Sequence, residues 1–245
     1  MSSQPALQAL RVLAVAIAFD EEQKLGSVLS RFHPGDVTEI MVVDDGSTDR
    51  TAEVARSHGA TVISRSSRGG AGAAIRTAIQ YAKDRRFDVL VILAGNDKDR
   101  AGEIPRLLQP IREEGCDFVQ GSRYLPGGDS GNMPFYRRLA TRFLHPLLFS
   151  LVSGRRITDS TNGFRALRMS LLDDPRIDLN QAWLNQYELE PYLLFKAIQL
   201  GYGVKEVPVT KIYPAKELGY TKMMPITGWW SILRPLLLLG LGIKK

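Results

Sequence analysis

The stretch Met41-Val42-Val43-Asp44-Asp45-Gly46-Ser47-Thr48-Asp49-Arg50-Thr51 decides the fold. Three apolar residues end in two adjacent carboxylates and a glycine turns the chain. Ser47, Thr48 or Asp49 is then placed to cap a helix over 51–57. In an open α/β sheet, ligands sit beyond the carboxyl ends of the strands, so Asp44 and Asp45 stand where a ligand would be. A carboxylate there can accept hydrogen bonds from a ribose or a base N–H. The same residues also suit a plain strand–turn–helix junction with a capping Asp, so the flanking elements must decide.

The flanks repeat the pattern. Strands over 12–19, 39–43, 61–64, 89–93 and 118–121 alternate with helices over 21–31, 51–57, 73–83 and 104–113. The strands are rich in Val and Ile and poor in polar residues, the mark of a parallel sheet covered on both faces. The fold class is therefore α/β, with a mostly parallel central sheet and helices on both faces. The second half differs. It holds a basic amphipathic helix over 137–152 with Pro146 inside it, a helix over 185–200, and an edge strand over 202–212 containing Pro208. A tail over 225–245 carries Trp229, Trp230 and the leucines 236–239.

A chain of 245 residues that is 44% apolar suits one large domain, or one domain with an appendage. Its net charge of +6 favours anionic partners. Nucleic acid is the weaker option and is not expected as a partner, because no zinc-ligand spacing and no aromatic RNA-binding strand is present. The single cysteine, Cys116, allows no intrachain disulfide and is expected to be buried and inert in a reducing compartment. The apolar run after Arg11 is too short for a signal peptide, and no apolar segment reaches about 20 residues. The expected location is cytoplasmic, peripheral on the cytoplasmic face of the inner membrane.

Other polar clusters follow the strands. Phe19 can lie against a flat base and Glu21 or Asp45 can read its edge; acids in a first helical turn also simply favour the helix dipole. The run from Arg68 to Ala74, with Gly69, Gly70 and Gly72, lets backbone N–H groups approach a phosphate at a helix N-terminus. It fits neither the P-loop nor the dinucleotide fingerprint. Asp97 and Asp99 alternate, so in an extended loop both face one way and suit Mg²⁺ or Mn²⁺; Lys98 and Arg100 can equally neutralise a polar turn. Arg123, with Arg137 and Thr141 one helical turn apart, can grip a phosphate, whereas Arg138 and Arg142 read as a solvated face. Asp159 suits a general base or an Asx-turn. Glu188 and Glu190 can partner a helix N-terminus or bind sugar hydroxyls.

Taken in order, these runs resemble the family 2 glycosyltransferases of the GT-A fold, closest to the dolichol-phosphate mannose synthase type. The resemblance covers residues 12–223. It rests on Val42–Thr51, Arg68–Ile79, Asp117–Tyr124, Asp159–Arg165 and Gly219-Tyr220-Thr221-Lys222-Met223. It implies an inverting transfer from a nucleoside diphosphate sugar to a polyprenyl phosphate or a cell-envelope glycan precursor. It places Ile17, Phe19, Glu21, Asp45, Arg68, Gly70 and Asp97 at the nucleotide sugar. Arg123, Arg137, Thr141 and Lys216 fall at the acceptor phosphate. Asp97, Asp159 and Arg123 are the catalytic candidates, and Asp97 with Asp99 the candidate ligands of a divalent cation. The family's Asp-x-Asp is here Gly95-Asn96-Asp97, with its first aspartate missing.

Residues 1–222 are thus expected to form the transferase domain and 223–245 an amphipathic tail. The tail can lie at a membrane surface, fold onto the domain or meet a second subunit in a homo-oligomer. Two other readings stand beside the enzyme. A non-catalytic sugar-nucleotide-binding homologue is suggested by Gly95. A nucleotidyltransferase would need a glycine loop after the first strand, and residues 17–22 contain none.

Overall fold

A computed structural model of the chain describes residues 10–214 and 227–244. Seven strands form its sheet: β1 Val12–Ala18, β2 Glu39–Asp44, β3 Thr61–Ser64, β4 Val89–Ala94, β5 Phe118–Ser122, β6 Arg165–Arg168 and β7 Val204–Pro208, in the order β3-β2-β1-β4-β6-β5-β7. All neighbours pair in parallel except β6, which runs antiparallel between β4 and β5. The alternating strand–helix rhythm thus yields the expected mostly parallel sheet. The strand β6 was not expected. Arg-Ala-Leu-Arg is short and flanked by arginines, so its sequence reads as the end of a polar turn.

Helices cover both faces, as the continuous apolar strands require. On one side, α1 (Glu22–Leu29), α2 (Thr51–Ser57) and α4 (Ile104–Glu113) bury Leu25, Ala55 and Leu107 against Val12, Ala14 and Ala16 of β1. On the other, α3 (Ala71–Asp84) and α7 (Leu189–Gln199) bury Ile75 and Leu193 against Leu13, Val15 and Met41. Adjacent residues of β1 therefore serve opposite cores, the two-residue period of a strand buried on both sides.

The basic helix expected over 137–152 is interrupted. It runs as α5 (Phe135–Leu139), a π turn (Ala140–Leu144) and α6 (His145–Ser153). Pro146 offers no N–H to the preceding turn, and a π turn placed there absorbs the mismatch. The helix expected from residue 185 begins only at Leu189, because the carbonyls before it are used elsewhere. Gly72 N–H donates to Gln186 O at 2.8 Å and Ala73 N–H to Asn185 O at 3.0 Å.

The last helix, α8 (Thr227–Gly240), adds Leu236 and Leu239 to the α3–α7 core. Arg234 donates to Trp183 O at 2.8 Å and pairs with Glu188 at 3.1 Å. His145 bridges Ser160 Oγ at 2.7 Å and Ile232 O at 3.2 Å. Burial lowers the pKa of this imidazole, so the neutral ring is the form held there. The part of the tail described here is built onto the domain along one side. Cys116 is half-buried, not fully buried as expected.

Gly72 is fixed by contact. A Cβ there would lie 1.9 Å from Leu184 O and 2.9 Å from Gln186 O. Gly72→Ala is expected to cost about 1–3 kcal/mol or more through overpacking. Thermal unfolding followed by circular dichroism should show a fall of roughly 2–4 °C per kcal/mol; an unchanged melting temperature would contradict this contact.

Candidate active site

The carboxyl ends of β1, β2 and β4 and the end of β5 open onto one cavity of about 270 Å³. All the described residues expected at the nucleotide except Asp97 line it: Ile17, Phe19, Glu21, Asp45, Arg68 and Gly70. The Ser-Thr-Asp-x-Thr run staples the loop after β1 to the loop after β2. Asp20 N–H donates to Ser47 Oγ at 2.8 Å, Glu21 N–H to Thr51 Oγ1 at 2.7 Å and Glu22 N–H to Asp49 Oδ2 at 3.1 Å. Asp44 accepts from Ser47 N–H at 2.9 Å and so shapes the turn. Gly46 has a φ of +78°, and a Cβ on it would lie 2.6 Å from the Ser67 carbonyl carbon. Only glycine lets the two loops approach this closely.

Asp45 accepts from Gly69 N–H at 3.0 Å and Gly70 N–H at 2.7 Å, and Arg65 Nε lies 2.9 Å away. Two backbone amides thus occupy its carboxylate, and the Arg65 contact is a charge pair without a hydrogen bond. Those bonds, with the donations from Gly72 and Ala73 to the 185–186 carbonyls, use the amides of the glycine-rich run internally. The run is a packing device here, whereas the sequence suggested a phosphate cradle. The Arg68 guanidinium lies 4.2 Å from the Phe19 ring centroid, and Glu21 pairs with Lys24 at 2.5 Å.

The loop after β4 departs from expectation. Asp97 has a φ of +61°, so the loop is not extended and its two carboxylates diverge. Asp97 turns to Arg31, with Arg100 at 4.0 Å, and does not line the cavity. Asp99 is fully buried, accepting from Ala94 N–H at 3.0 Å and pairing with Lys211 at 2.5 Å. The cavity-facing residues are Ala94, Asn96 and Lys98, one residue out of step with the Gly95–Asp97 register. A Cβ on Gly95 would press on Ala18 at 3.0 Å and Leu25 at 3.3 Å, on the α1 side of the sheet. Among the described residues, no three His, Cys, Asp or Glu side chains cluster at one point. Asp97 and Asp99 therefore do not converge on one point as their alternation suggested. Burial and the nearby Lys211 and Arg137 push the Lys98 pKa down to about 7.

The acceptor side is cationic. Arg123 meets Asp159 through Nε at 2.6 Å and Nη2 at 2.7 Å, and also donates to Thr161 Oγ1 at 2.7 Å. Burial alone would lower the Arg123 pKa, but the charge and hydrogen bonds of Asp159 outweigh it and raise it. With both oxygens engaged and no exposed surface, Asp159 is not free to act as the general base it was expected to be. It orients Arg123 instead. Glu206 of β7 holds the turn below by accepting from the Thr158 and Asp159 amides at 2.8 and 2.9 Å. Arg137 and Thr141 both reach the cavity. The Thr141 hydroxyl donates to Arg137 O at 2.9 Å and meets Tyr124 OH at 2.6 Å. Lys216 and the Gly219–Met223 segment lie outside the described residues.

Sequence reasoning missed Lys98, Lys211, Arg165 and Tyr213 as cavity residues. Lys98 had a signal, since alternation from Ala94 through Asn96 points to it. Lys211 and Tyr213 had none, because they arrive from a segment far along the chain. Glu190 lines the cavity, where its hydroxyl-binding reading placed it, and its carboxylate lies 3.4 Å from Arg165 Nη2.

The family model described as glycosyl transferase family 2 matches residues 15–174. The chain belongs to this family. It is 33% identical over 223 residues to a polyprenol monophosphomannose synthase of Mycolicibacterium smegmatis, covering 87% of this chain and 81% of the relative. It is 35% identical over 225 residues to a dolichyl-phosphate hexose transferase of Haloferax volcanii, covering 90% of each. Among solved structures it resembles glucosyl-3-phosphoglycerate synthase from Mycobacterium tuberculosis, with a TM-score of 0.65 and 21% identity over 93% of this chain and 78% of that one. That GT-A protein is crystallised with UDP and Mn²⁺ or Mg²⁺, consistent with the divalent-cation cofactor expected for the fold. The protein is an enzyme of this glycosyltransferase class, and nothing in these likenesses supports a non-catalytic homologue.

The Arg123–Asp159 pair predicts an asymmetric mutant cycle. Asp159→Ala leaves a buried guanidinium unpaired and is expected to cost about 3–5 kcal/mol. Replacing both residues by apolar ones should cost clearly less than the two single changes added together. Urea denaturation of the four proteins measures this, and additive losses would show that the pair is not coupled.

Proposed function

We propose that this family 2 glycosyltransferase moves a sugar from a nucleoside diphosphate sugar to a polyprenyl phosphate, with inversion at the transferred carbon. The observation that carries the reading is a cavity with two chemically distinct ends. Phe19, Glu21 and Asp45 suit a nucleoside at one end, and Arg123 and Arg137 a phosphate at the other. The relatives named for polyprenol-phosphate and dolichyl-phosphate transfer support the acceptor class. A lipid phosphate brings an oxygen that is already anionic. It attacks without a general base, which suits a site whose Asp159 is held by Arg123. Glu190 is the residue we assign to hydroxyls of the transferred sugar.

The surface beside the cavity suits a lipid acceptor. Phe135, Leu139, Phe143, Leu147 and Leu151 are exposed along α5 and α6, with Arg138 and Arg142 exposed among them. Trp230, Leu237 and Leu241 of the α8 region are exposed as well. A broad apolar surface edged by arginines fits the headgroup boundary of an anionic bilayer. No helix among the described residues is long and apolar enough to cross a membrane. We therefore assign a peripheral contact, with residues 223–245 contributing to it.

A thermal-shift panel of UDP-, GDP- and CDP-sugars tests the donor. One of them should raise the melting temperature, since a ligand that binds only the folded state must stabilise it; no shift with any would refute the reading. With that donor, Arg137→Gln should lower kcat/KM for a polyprenyl phosphate by about 10- to 100-fold while leaving the donor-induced shift in place. Vesicle sedimentation tests the surface. The chain should pellet with anionic phospholipid vesicles, and Phe143→Asp with Leu147→Asp should release it.

A further inference from the structure

Three successive residues of the loop after β4 take opposite directions. Asn96 and Lys98 line the cavity, and Asp97 between them does not. The reversal is made at Asp97 itself, whose φ of +61° is a left-handed conformation that a residue with a Cβ adopts only at a cost. A partner outside the cavity offsets that cost. The Arg31 guanidinium meets both oxygens of the Asp97 carboxylate, and its Nη2 also donates to Ser27 Oγ at 2.7 Å. Ser27 lies one turn back, in α1, and so aims the guanidinium from that helix. The same loop is pressed onto α1 at its start, where a Cβ on Gly95 would meet Ala18 and Leu25.

A divalent cation at a nucleoside diphosphate is held largely by phosphate oxygens and water, and needs only one or two protein carboxylates. Bound there, it offsets the charge that develops on the leaving diphosphate. Of the two carboxylates in this loop, Asp99 is fully buried and bonded to Ala94 N–H and Lys211. Asp97 is the one its partner can release. Its side chain is 20% exposed and that of Arg31 32%. An ion pair so open to water is weak. A ligand that prefers the carboxylate turned inward shifts the loop by that preference alone.

We propose that Arg31 is a latch on the cation-binding carboxylate of this chain. It holds Asp97 outside the cavity in the free protein and releases it when a nucleoside diphosphate binds with its divalent cation. Arg31 is thus a positioning residue that acts through Asp97. The inference rests on the nucleotide-sugar reading given above.

Isothermal titration of the full chain with UDP, GDP and CDP in Mn²⁺ first identifies the nucleotide that binds. Electron paramagnetic resonance of free Mn²⁺ then measures metal uptake by the protein–nucleotide complex, beyond what the nucleotide takes up alone and without any turnover. Arg31→Gln should tighten that uptake about two- to fivefold, the worth of a partly exposed ion pair. Ser27→Ala loosens the guanidinium and should act in the same direction; it is the second variant should Arg31→Gln fail to fold. Arg50→Gln removes an equal charge from the exposed pair with Glu22 and should change nothing. Asp97→Asn should weaken the uptake. A folded Arg31→Gln protein with unchanged or weaker Mn²⁺ binding would overturn the latch and leave the donor reading intact. An equal gain with Arg50→Gln, or undiminished uptake with Asp97→Asn, would do the same. So would a crystal structure of the Mn²⁺–nucleotide complex in which Asp97 still pairs with Arg31. No binding of any nucleotide would overturn both.

Discussion

The buried pair between Arg123 and Asp159 is the interaction around which the second half of the molecule is arranged. Arg123 follows β5 directly, and Asp159 lies in the turn that leads into β6. Their bidentate contact fixes how the chain re-enters the sheet. That entry runs antiparallel and brings Arg165 under the cavity, where it donates to Glu190 O at 2.8 Å. Glu206 on the neighbouring edge strand holds the same turn through the Thr158 and Asp159 amides. Burial raises the pKa of Glu206, and the hydrogen bonds from those amides oppose the rise. Such a cluster is tolerated inside a protein only when its members satisfy one another, and its exactness of fit holds Arg123 at the cavity wall.

On the other side of the cavity, backbone donors are used for construction. The amides of Gly69 and Gly70 close onto Asp45, and those of Gly72 and Ala73 onto the 185–186 carbonyls. An anion in this site must therefore be met by side chains, and the cavity walls supply them: Lys98, Arg123, Arg137 and Lys211. Part of the basic balance of the composition thus lines the cavity. Long-range attraction of an anionic donor and an anionic acceptor follows from those cations.

The apolar surface of α5, α6 and α8 has a related origin. Helices α6 and α8 each turn one stripe to the α3–α7 core, through Phe149, Leu236 and Leu239, and leave another uncovered, while α5 leaves Phe135, Tyr136 and Leu139 uncovered. The π turn before Pro146 rotates α6 relative to α5, and Thr141 in that turn faces the cavity while Phe143 faces outward. One irregular helix therefore serves the reaction cavity and the outer surface at once.

The parallel strands and the helices between them were legible in the sequence, because continuous Val- and Ile-rich runs alternating with helical stretches admit few other arrangements, whereas the antiparallel β6 was not. The sequence by itself also determined the place of the site, since polar runs such as Asp44–Thr51 and Gly121–Tyr124 fall at strand ends, where this architecture binds ligands. These are local signals, carried by neighbouring residues. Tertiary structure decided what each polar side chain does. Asp159 reads as a base or a turn former until Arg123, far away in sequence, is seen to occupy both its oxygens. Asp97 and Asp99 read as a pair until the left-handed turn at Asp97 sends them to Arg31 and Lys211. Lys98 reads as a neutralising surface charge until Tyr213 and Lys211 close around it. The physical reason is the same in each case. The role of a charge is set by which partner reaches it and how much water remains, and both are fixed by contacts between distant segments of the chain.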